Sequence, residues 1–246
     1  MSKQRFVNTS SREANHARNF KYTNPALNPN QSFPFSNDGT WDDSTDHFSV
    51  DHLDLSRLEP AAQAVGEISS SVQQTLVLYV KTQKLAQYEN KPLGFINHTF
   101  WIPQDEPLLS LPKADWDGHQ FVPFIKERTW IDLVINNLDD GSHPFHLHGH
   151  EFYVLSSYRA DGRTGWGSYN PFEGSEPPSG LDLASPLRKD TVAVPRRGHV
   201  VLRIAADNPG IWMLHCHVQV HMSTGMAMAI HVGENEEHVD THDSNM

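Results

Sequence analysis

The sequence predicts an all-β protein, an antiparallel sandwich or barrel preceded by an irregular N-terminal segment. Short runs rich in β-branched and aromatic residues recur along the chain, and clusters of Gly, Pro, Asn and Asp separate them. Only Ser56–Val72 has a helix-like pattern, and Gly66 interrupts it. Many short strands with little helix are typical of sandwiches and barrels.

Six runs predict strands because β-branched and aromatic side chains favour a half-buried pleated surface. These runs are Thr75–Val80, Trp130–Asn136, Phe152–Leu155, Thr191–Val194, Val200–Ala205 and Met226–Val232. The irregular stretch Ser156–Lys189 predicts an excursion between two strands, and excursions of this length are more often functional than idle.

The domain organisation follows from shifts in composition along the 246 residues. Residues 1–49 contain a stretch dense in Asn, Pro, Ser and Asp, which predicts a loop or linker. Residues 50–235 are expected to form one domain, and residues 236–246 an acidic C-terminal tail.

Charge and hydropathy exclude several classes of partner. The net charge of −11 disfavours nucleic acid, because a phosphate-binding surface needs excess positive charge. No apolar run approaches the roughly 18 residues that span a bilayer, so no membrane span is expected. The first 20 residues lack the apolar segment of a signal peptide.

Four of the 16 histidines lie within eight residues, in the segment HPFHLHGH that begins at His143. Alternate residues of an extended chain point to the same side, so His146 and His148 are expected to project together. Such a density of histidine behind a strand and a tight turn is improbable for a solvated loop. The segment therefore predicts metal binding.

A second cluster, WMLHCHVQVHMSTGM, contains the only cysteine of the chain. In an extended backbone His215 and His217 project to one side and Cys216 to the other, so one strand serves two sites. A lone thiol cannot close an internal disulfide, which leaves Cys216 as a buried filler, an intermolecular partner or a ligand.

The spacing Cys-x4-His-x4-Met, with one distant histidine, is the ligand set of a blue copper site: two imidazoles, one thiolate and a weak axial thioether. Zinc also accepts Cys and His ligands and is the chemical alternative, although a thioether is not among its usual ligands. Packing inside the predicted strand is the alternative for Met226, and the spacing from Cys216 and His221 favours a ligand.

Together HPFHLHGH and HCHVQVHMSTGM resemble the two C-terminal copper motifs of the multicopper oxidases, the family of laccases, ascorbate oxidases and ferroxidases. The flanking RKDTVAVPRRGHVVLRIAADNPGIW is similar to fungal members, and the likeness extends over about Val50–Val232. The resemblance implies a Greek-key β-sandwich or barrel of the cupredoxin type, and copper as the cofactor.

The resemblance also implies a role for each ligand. The type 1 copper would be held by His143, Cys216, His221 and Met226. The type 2 copper would be bound by His146, and the type 3 pair by His148, His215 and His217. Three further histidines match no ligand position and are expected to be structural: His150, His199 and His231.

The implied activity is a copper-dependent oxidation with dioxygen as acceptor. A small reductant, whether a phenol, an ascorbate-like compound or a metal ion, would give single electrons to the type 1 copper through His221. The electrons would pass through Cys216 to a trinuclear cluster that reduces dioxygen to water. The resemblance further implies a secreted protein, for which the Asn-x-Ser/Thr sites at Asn8, Asn30 and Asn97 are weak support.

Family members hold the trinuclear cluster with four His-x-His pairs, whereas this chain has two. Residues 1–100 contain only isolated histidines, at His16, His47, His52 and His98. We therefore expect a C-terminal portion of a longer oxidase, with a complete type 1 site and half of the cluster, inactive when isolated. Residues 1–49 would then be a linker or the tail of a missing preceding domain.

Three other interpretations remain. A non-enzymatic electron-transfer or copper-binding module fits the same ligands. A cupin-like metalloenzyme would use His146-x-His148, Glu151 and Pro195-x-x-Gly198-His199, but it leaves the second cluster unexplained. A metal-free sandwich that has lost its function is disfavoured because every ligand of this half is intact.

Overall fold

The computed structural model describes residues 68–160 and 165–235. Within these ranges, eleven strands form two sheets, and the α-helical content is a single short helix, α1 (Gln219–Ser223). No helix in the described part of the chain is long and apolar enough to cross a membrane. The expected N-terminal segment 1–49 and acidic tail 236–246 lie outside the described residues.

The first sheet has six strands in the order β2-β1-β4-β9-β6-β7. Its strands are β1 (Gln74–Lys84), β2 (Pro92–Ile96), β4 (Thr129–Asn137), β6 (Phe152–Tyr158), β7 (Leu187–Lys189) and β9 (His199–Ala206). The second sheet has five strands in the order β3-β11-β10-β5-β8. They are β3 (Phe124–Lys126), β5 (His143–Leu147), β8 (Thr191–Val194), β10 (Gly210–Cys216) and β11 (Ala227–Gly233).

The all-β prediction is confirmed, and each of the six predicted runs coincides with a strand to within one residue at its start. The antiparallel expectation is wrong at two places, because β1 pairs with β4 and β3 pairs with β11 in parallel. In both pairs the intervening chain crosses over before it returns, which parallel pairing requires. Of the predicted helix Ser56–Val72, residues 68–72 carry no helix and the rest lies outside the described residues.

The core lies between the sheets, and strand alternation decides which residues of the histidine clusters enter it. Along β5 the side chains of His143, Phe145 and Leu147 are buried, while His146 is only partly buried. At the end of β10, Cys216 joins the same apolar cluster as Met226 and Phe145. The period of two therefore places His143 and Cys216 in the core and leaves His146 partly buried on the other face of β5.

The excursion after β6 packs against the outer face of the six-stranded sheet. The side chain of Asn136 makes two hydrogen bonds with the backbone of Tyr169. It donates to the carbonyl at 2.9 Å and accepts a bond from the N–H at 2.6 Å. Nδ1 of the buried His199 lies 2.5 Å from the Gly167 carbonyl oxygen. These buried contacts fix the described part of the excursion at one end of the sheet.

Gly94 on β2 has no room for a side chain. A Cβ there would lie 2.6 Å from the Met226 Cβ and 2.8 Å from the Met226 backbone nitrogen. We expect Gly94→Ala to lower the free energy of unfolding by about 1–3 kcal/mol, because one backbone must move.

Gly118→Ala is the matched control, since a Cβ at Gly118 meets nothing within 4 Å, and its effect should stay within about 0.5 kcal/mol. Urea unfolding followed by tryptophan fluorescence measures both variants. Equal unfolding midpoints for Gly94→Ala and Gly118→Ala would show that β2 and Met226 are not in close contact.

Candidate metal centre

Three predicted ligands lie close together where β5 begins and β10 ends. His143 begins β5, Cys216 ends β10 and His221 lies on α1. The Cys216 Sγ is 3.7 Å from His143 Nδ1 and 3.6 Å from His221 Nδ1, and the two Nδ1 atoms are 3.1 Å apart. Within the described residues this is the group whose ligand atoms all lie within 4.8 Å of one another.

The spacing of these three atoms fits a metal ion in their plane. With bonds of about 2.0 Å to nitrogen and about 2.3 Å to sulfur, a trigonal site separates the two nitrogens by about 3.5 Å and each nitrogen from sulfur by about 3.7 Å. The observed distances agree to within a few tenths of an ångström. A His₂Cys donor set with this geometry suits copper.

The predicted fourth ligand, Met226, lies beside Cys216 through backbone pairing. The Cys216 N–H donates to the Met226 carbonyl at 3.0 Å, and the Met226 N–H donates to the His221 carbonyl at 2.9 Å. Met226 is fully buried. Its backbone thus connects the two ligand-bearing segments, and its role as axial ligand stays a prediction.

Asp139 is a functional candidate that the sequence motifs do not identify. Its carboxylate accepts a hydrogen bond from His143 Nε2 at 2.9 Å and two more from Thr82, through the backbone N–H at 2.7 Å and the hydroxyl at 2.9 Å. The bond to Nε2 orients the ring so that Nδ1 faces Cys216. The sequence signal for this contact is an acidic residue four positions before the first histidine of the motif.

Burial lowers the pKa of His143, but hydrogen bonds to Asp139 and Cys216 outweigh it and raise the pKa to about 9. Burial and the neighbouring His143 lower the pKa of His221. At neutral pH and without metal, His143 is therefore the protonated member of the pair. A metal ion must displace that proton from Nδ1 to bind.

The other four predicted histidine ligands form a second cluster on the opposite side of Cys216. The closest nitrogens are His148 Nε2 and His215 Nε2, 3.1 Å apart. The neighbouring ring centroids lie 5.0–5.9 Å apart across the pairs that involve His146, His148, His215 and His217. His148 and His217 are exposed, so this cluster opens at the surface of the described domain.

Hydrogen bonds orient these rings as metal ligands. His146 Nδ1 lies 3.0 Å from both the Asp190 carbonyl and the Thr191 hydroxyl, and His215 Nδ1 lies 3.2 Å from the Cys216 carbonyl. Each contact leaves Nε2 for a metal. Burial and the surrounding imidazoles lower the pKa of His148 and of His215, which favours the neutral, metal-binding form.

The three histidines expected to be structural occupy packed positions. His150 is buried against Trp212, His199 between Tyr158 and Tyr169, and His231 beside Phe124. The cupin-like arrangement does not assemble. Glu151 pairs with Arg188 at 2.6 Å, and His199 contacts Gly167 rather than the histidine cluster.

A family model described as Multicopper oxidase matches residues 84–236, more than half of the chain. The chain belongs to the multicopper oxidase family. The matched region contains both histidine clusters and all eight predicted ligands. Family membership implies copper in general terms and makes a zinc site or a metal-free sandwich the weaker interpretation.

Curated relatives include both iron transport multicopper oxidases and laccases. The Iron transport multicopper oxidase FET3 of Gibberella zeae is 42% identical over 103 residues, which are 42% of this chain and 15% of the relative. Laccase-11 of Arabidopsis thaliana is 41% identical over 116 residues, 46% of this chain and 19% of the relative. The chain thus matches less than a quarter of the length of these relatives.

Solved structures share the two-sheet fold. The crystal structure of Fet3p, a multicopper oxidase that functions in iron import, superposes with a TM-score of 0.64 at 25% identity, covering 83% of this chain and 38% of Fet3p. The laccase of Botrytis aclada has a TM-score of 0.56 at 24% identity, covering 89% of this chain and 36% of the laccase. The likeness confirms the cupredoxin-type all-β fold.

The raised pKa of His143 makes copper binding depend on pH. Below about pH 9 the ion displaces the His143 proton, and a thiolate ligand adds up to one proton more, so affinity rises with pH. Between pH 6 and 8 we expect the dissociation constant to fall by about one to two decades per pH unit. Competition with a chelator of known affinity measures this slope.

Asp139→Asn provides the comparison, because it removes a bond that raises the pKa of His143. Its slope should be flatter than that of the wild-type chain by up to about one decade per pH unit. Copper affinity independent of pH in the wild type would mean that His143 does not give up a proton to the metal.

Proposed function

We propose that this chain is the C-terminal copper-binding portion of a laccase-like multicopper oxidase. It would take single electrons from a small reductant at a type 1 copper and pass them to a trinuclear copper cluster that reduces dioxygen to water. The observation that carries the proposal is that His143, Cys216 and His221 lie together. Two histidines of the four-histidine cluster, His215 and His217, directly flank Cys216 in the chain.

Bound copper would supply the one-electron chemistry, and the chain would supply its ligands and the connection between the sites. His143, Cys216, His221 and Met226 would hold the type 1 ion. His146 would contribute to the type 2 site, and His148, His215 and His217 to the type 3 pair. His221 and Cys216 would carry electrons in and onward.

His221 is suited to the entry of electrons because of its position on α1. Its Nδ1 faces Cys216 Sγ at 3.6 Å, while the ring is only partly buried. The flanking Val220 is 56% exposed and Met222 is 41% exposed. A reductant that approaches this surface comes close to the ring edge without entering the core.

The path onward is short because Cys216 is bonded through the main chain to His215 and His217, two of the four histidines of the second cluster. The contact of 3.2 Å between His215 Nδ1 and the Cys216 carbonyl gives a second route to the His215 ring. The other half of the oxygen-reducing cluster would come from N-terminal domains of the same or another chain.

A non-enzymatic blue copper module is the second candidate. The exposed faces of His148 and His217 favour it for the isolated chain, because two His-x-His pairs supply only half of the family's cluster. The two candidates differ in dioxygen uptake once a matching N-terminal half is present. Oxygen reduction by the combined halves supports the oxidase, and copper binding without it supports the module.

Secretion and glycosylation belong to this proposal and stay predictions. Asn8 and Asn30 lie outside the described residues. Asn97 is partly buried and its side-chain oxygen accepts the Tyr79 N–H at 2.9 Å. The reductant, a phenol, an ascorbate-like compound or a metal ion, would be selected around His221.

Copper titration of the isolated chain tests the proposal. We expect an intense blue colour from a thiolate-bound copper and no oxygen uptake, because half of the cluster ligands are missing. Absorption spectroscopy and an oxygen electrode report the two results. Cys216→Ser should abolish the colour, and robust oxygen consumption by the chain alone would refute the expected division of the cluster between domains.

The role of Met226 is tested by Met226→Leu in the copper-loaded chain. A thioether donor stabilises the oxidised ion, so its removal should raise the reduction potential. A tenfold change in the relative affinity for the two oxidation states corresponds to about 59 mV, and we expect a rise of about that size. An unchanged potential in redox titration would mean that Met226 only packs.

A further inference from the structure

Arg197 has a backbone conformation that is uncommon for its residue type. It lies in the turn between β8 and β9 with φ of 48°, in the left-handed region. Bulky side chains rarely adopt this region, and such a conformation persists where the surroundings enforce it. The contacts of Arg197 extend in two directions, one toward the copper ligands and one toward the excursion.

The first set of contacts fixes the turn that carries Asp139. The Arg197 N–H donates to the Asp139 carbonyl at 3.0 Å, and its guanidinium Nε donates to the Asp140 carboxylate. From the core side, Asn137 accepts the Asp139 N–H at 2.9 Å and donates to the Gly141 carbonyl at 2.7 Å. The turn is thus held from inside by Asn137 and from outside by Arg197.

The second set of contacts reaches the excursion. The Arg197 carbonyl accepts the Gly167 N–H at 2.7 Å, and the guanidinium carbon lies 5.1 Å from the centre of the Trp166 ring. Trp166 is 62% exposed. Arg197 therefore joins an exposed part of the excursion to the turn whose carboxylate bonds the buried His143.

We infer that Arg197 is a positioning residue for the copper ligand His143, acting through the Asp139–Asp140 turn. The inference rests on the proposed function. By restraining the turn, the guanidinium keeps the Asp139 carboxylate against His143 Nε2, and that bond keeps Nδ1 directed at Cys216. Thr82 donates two hydrogen bonds to the same carboxylate oxygen, so Arg197 supplies only part of the restraint on the Asp139 carboxylate.

Arg197→Asn removes the guanidinium and introduces a residue that tolerates the left-handed conformation. We expect copper affinity to fall about fivefold, the size expected for one partly exposed ion pair and one stacking contact. The midpoint of urea unfolding of the copper-free chain should change little, since relief of the backbone conformation offsets the lost contacts. Arg197→Lys, which retains the charge, should restore part of the affinity.

Arg188→Asn is the matched control. Arg188 pairs with Glu151 at 2.6 Å and lies 5.9 Å from the centre of the Tyr153 ring, so it makes the same two kinds of contact elsewhere. Its loss should leave copper affinity unchanged. If Arg197 acts through Asp139, the fivefold effect should also vanish in the Asp139→Asn background.

A measurement on the copper-free chain makes the test independent of metal loading. The His143 Nε2–H should exchange with solvent several-fold faster in Arg197→Asn than in the wild type or in Arg188→Asn, as followed by NMR. Unchanged exchange with unchanged affinity would overturn the inference, as would the same affinity loss in the Asp139→Asn background. A wild-type chain that binds no copper would contradict the proposed function instead, and the exchange rates would still decide the role of Arg197.

Discussion

The pairing of β10 with β5 and β11 is the constraint on which both candidate metal sites depend. Antiparallel register sets Cys216 opposite Phe145 on one side, and the Cys216 N–H reaches the Met226 carbonyl on the other. Because side chains alternate along a strand, the sulfur enters the core while the flanking imidazoles point to the opposite face, where His217 is exposed and His215 is buried. A shift of one residue would exchange these directions and separate the sulfur from His143 and His221.

The electrostatic surroundings of the two clusters differ in a way that suits the separate tasks proposed for them. His143 is held in a polar contact with Asp139, deep in an otherwise apolar core, whereas His148 and His215 are crowded by other imidazoles. The first arrangement defines the orientation of a ring before any metal binds. The second favours the neutral form of His148 and His215, and the exposure of His148 and His217 fits the proposal that another domain completes the site.

Much of the fold and of the candidate site could be predicted because the relevant signals are local. Val200–Ala205 and Thr191–Val194 have the composition of strands, and the period of two alone separates Cys216 from His215. The parallel pairs could not be predicted, because they depend on crossovers whose course no local pattern specifies. Strand β5 was not among the predicted runs because its sequence, HPFHL, contains two histidines and a proline and no β-branched residue. The contact of Asp139 with His143 and the contacts of Arg197 depend on side-chain direction within turns, which spacing does not determine.

The central claim is that one sulfur and two imidazoles of this chain bind the same copper ion. X-ray absorption at the copper edge, with one equivalent of copper, tests it most directly. The account predicts one sulfur neighbour at about 2.3 Å or slightly shorter and two nitrogens at about 2.0 Å, with the sulfur absent in Cys216→Ser. A first shell of nitrogen and oxygen alone in the wild-type chain would contradict it.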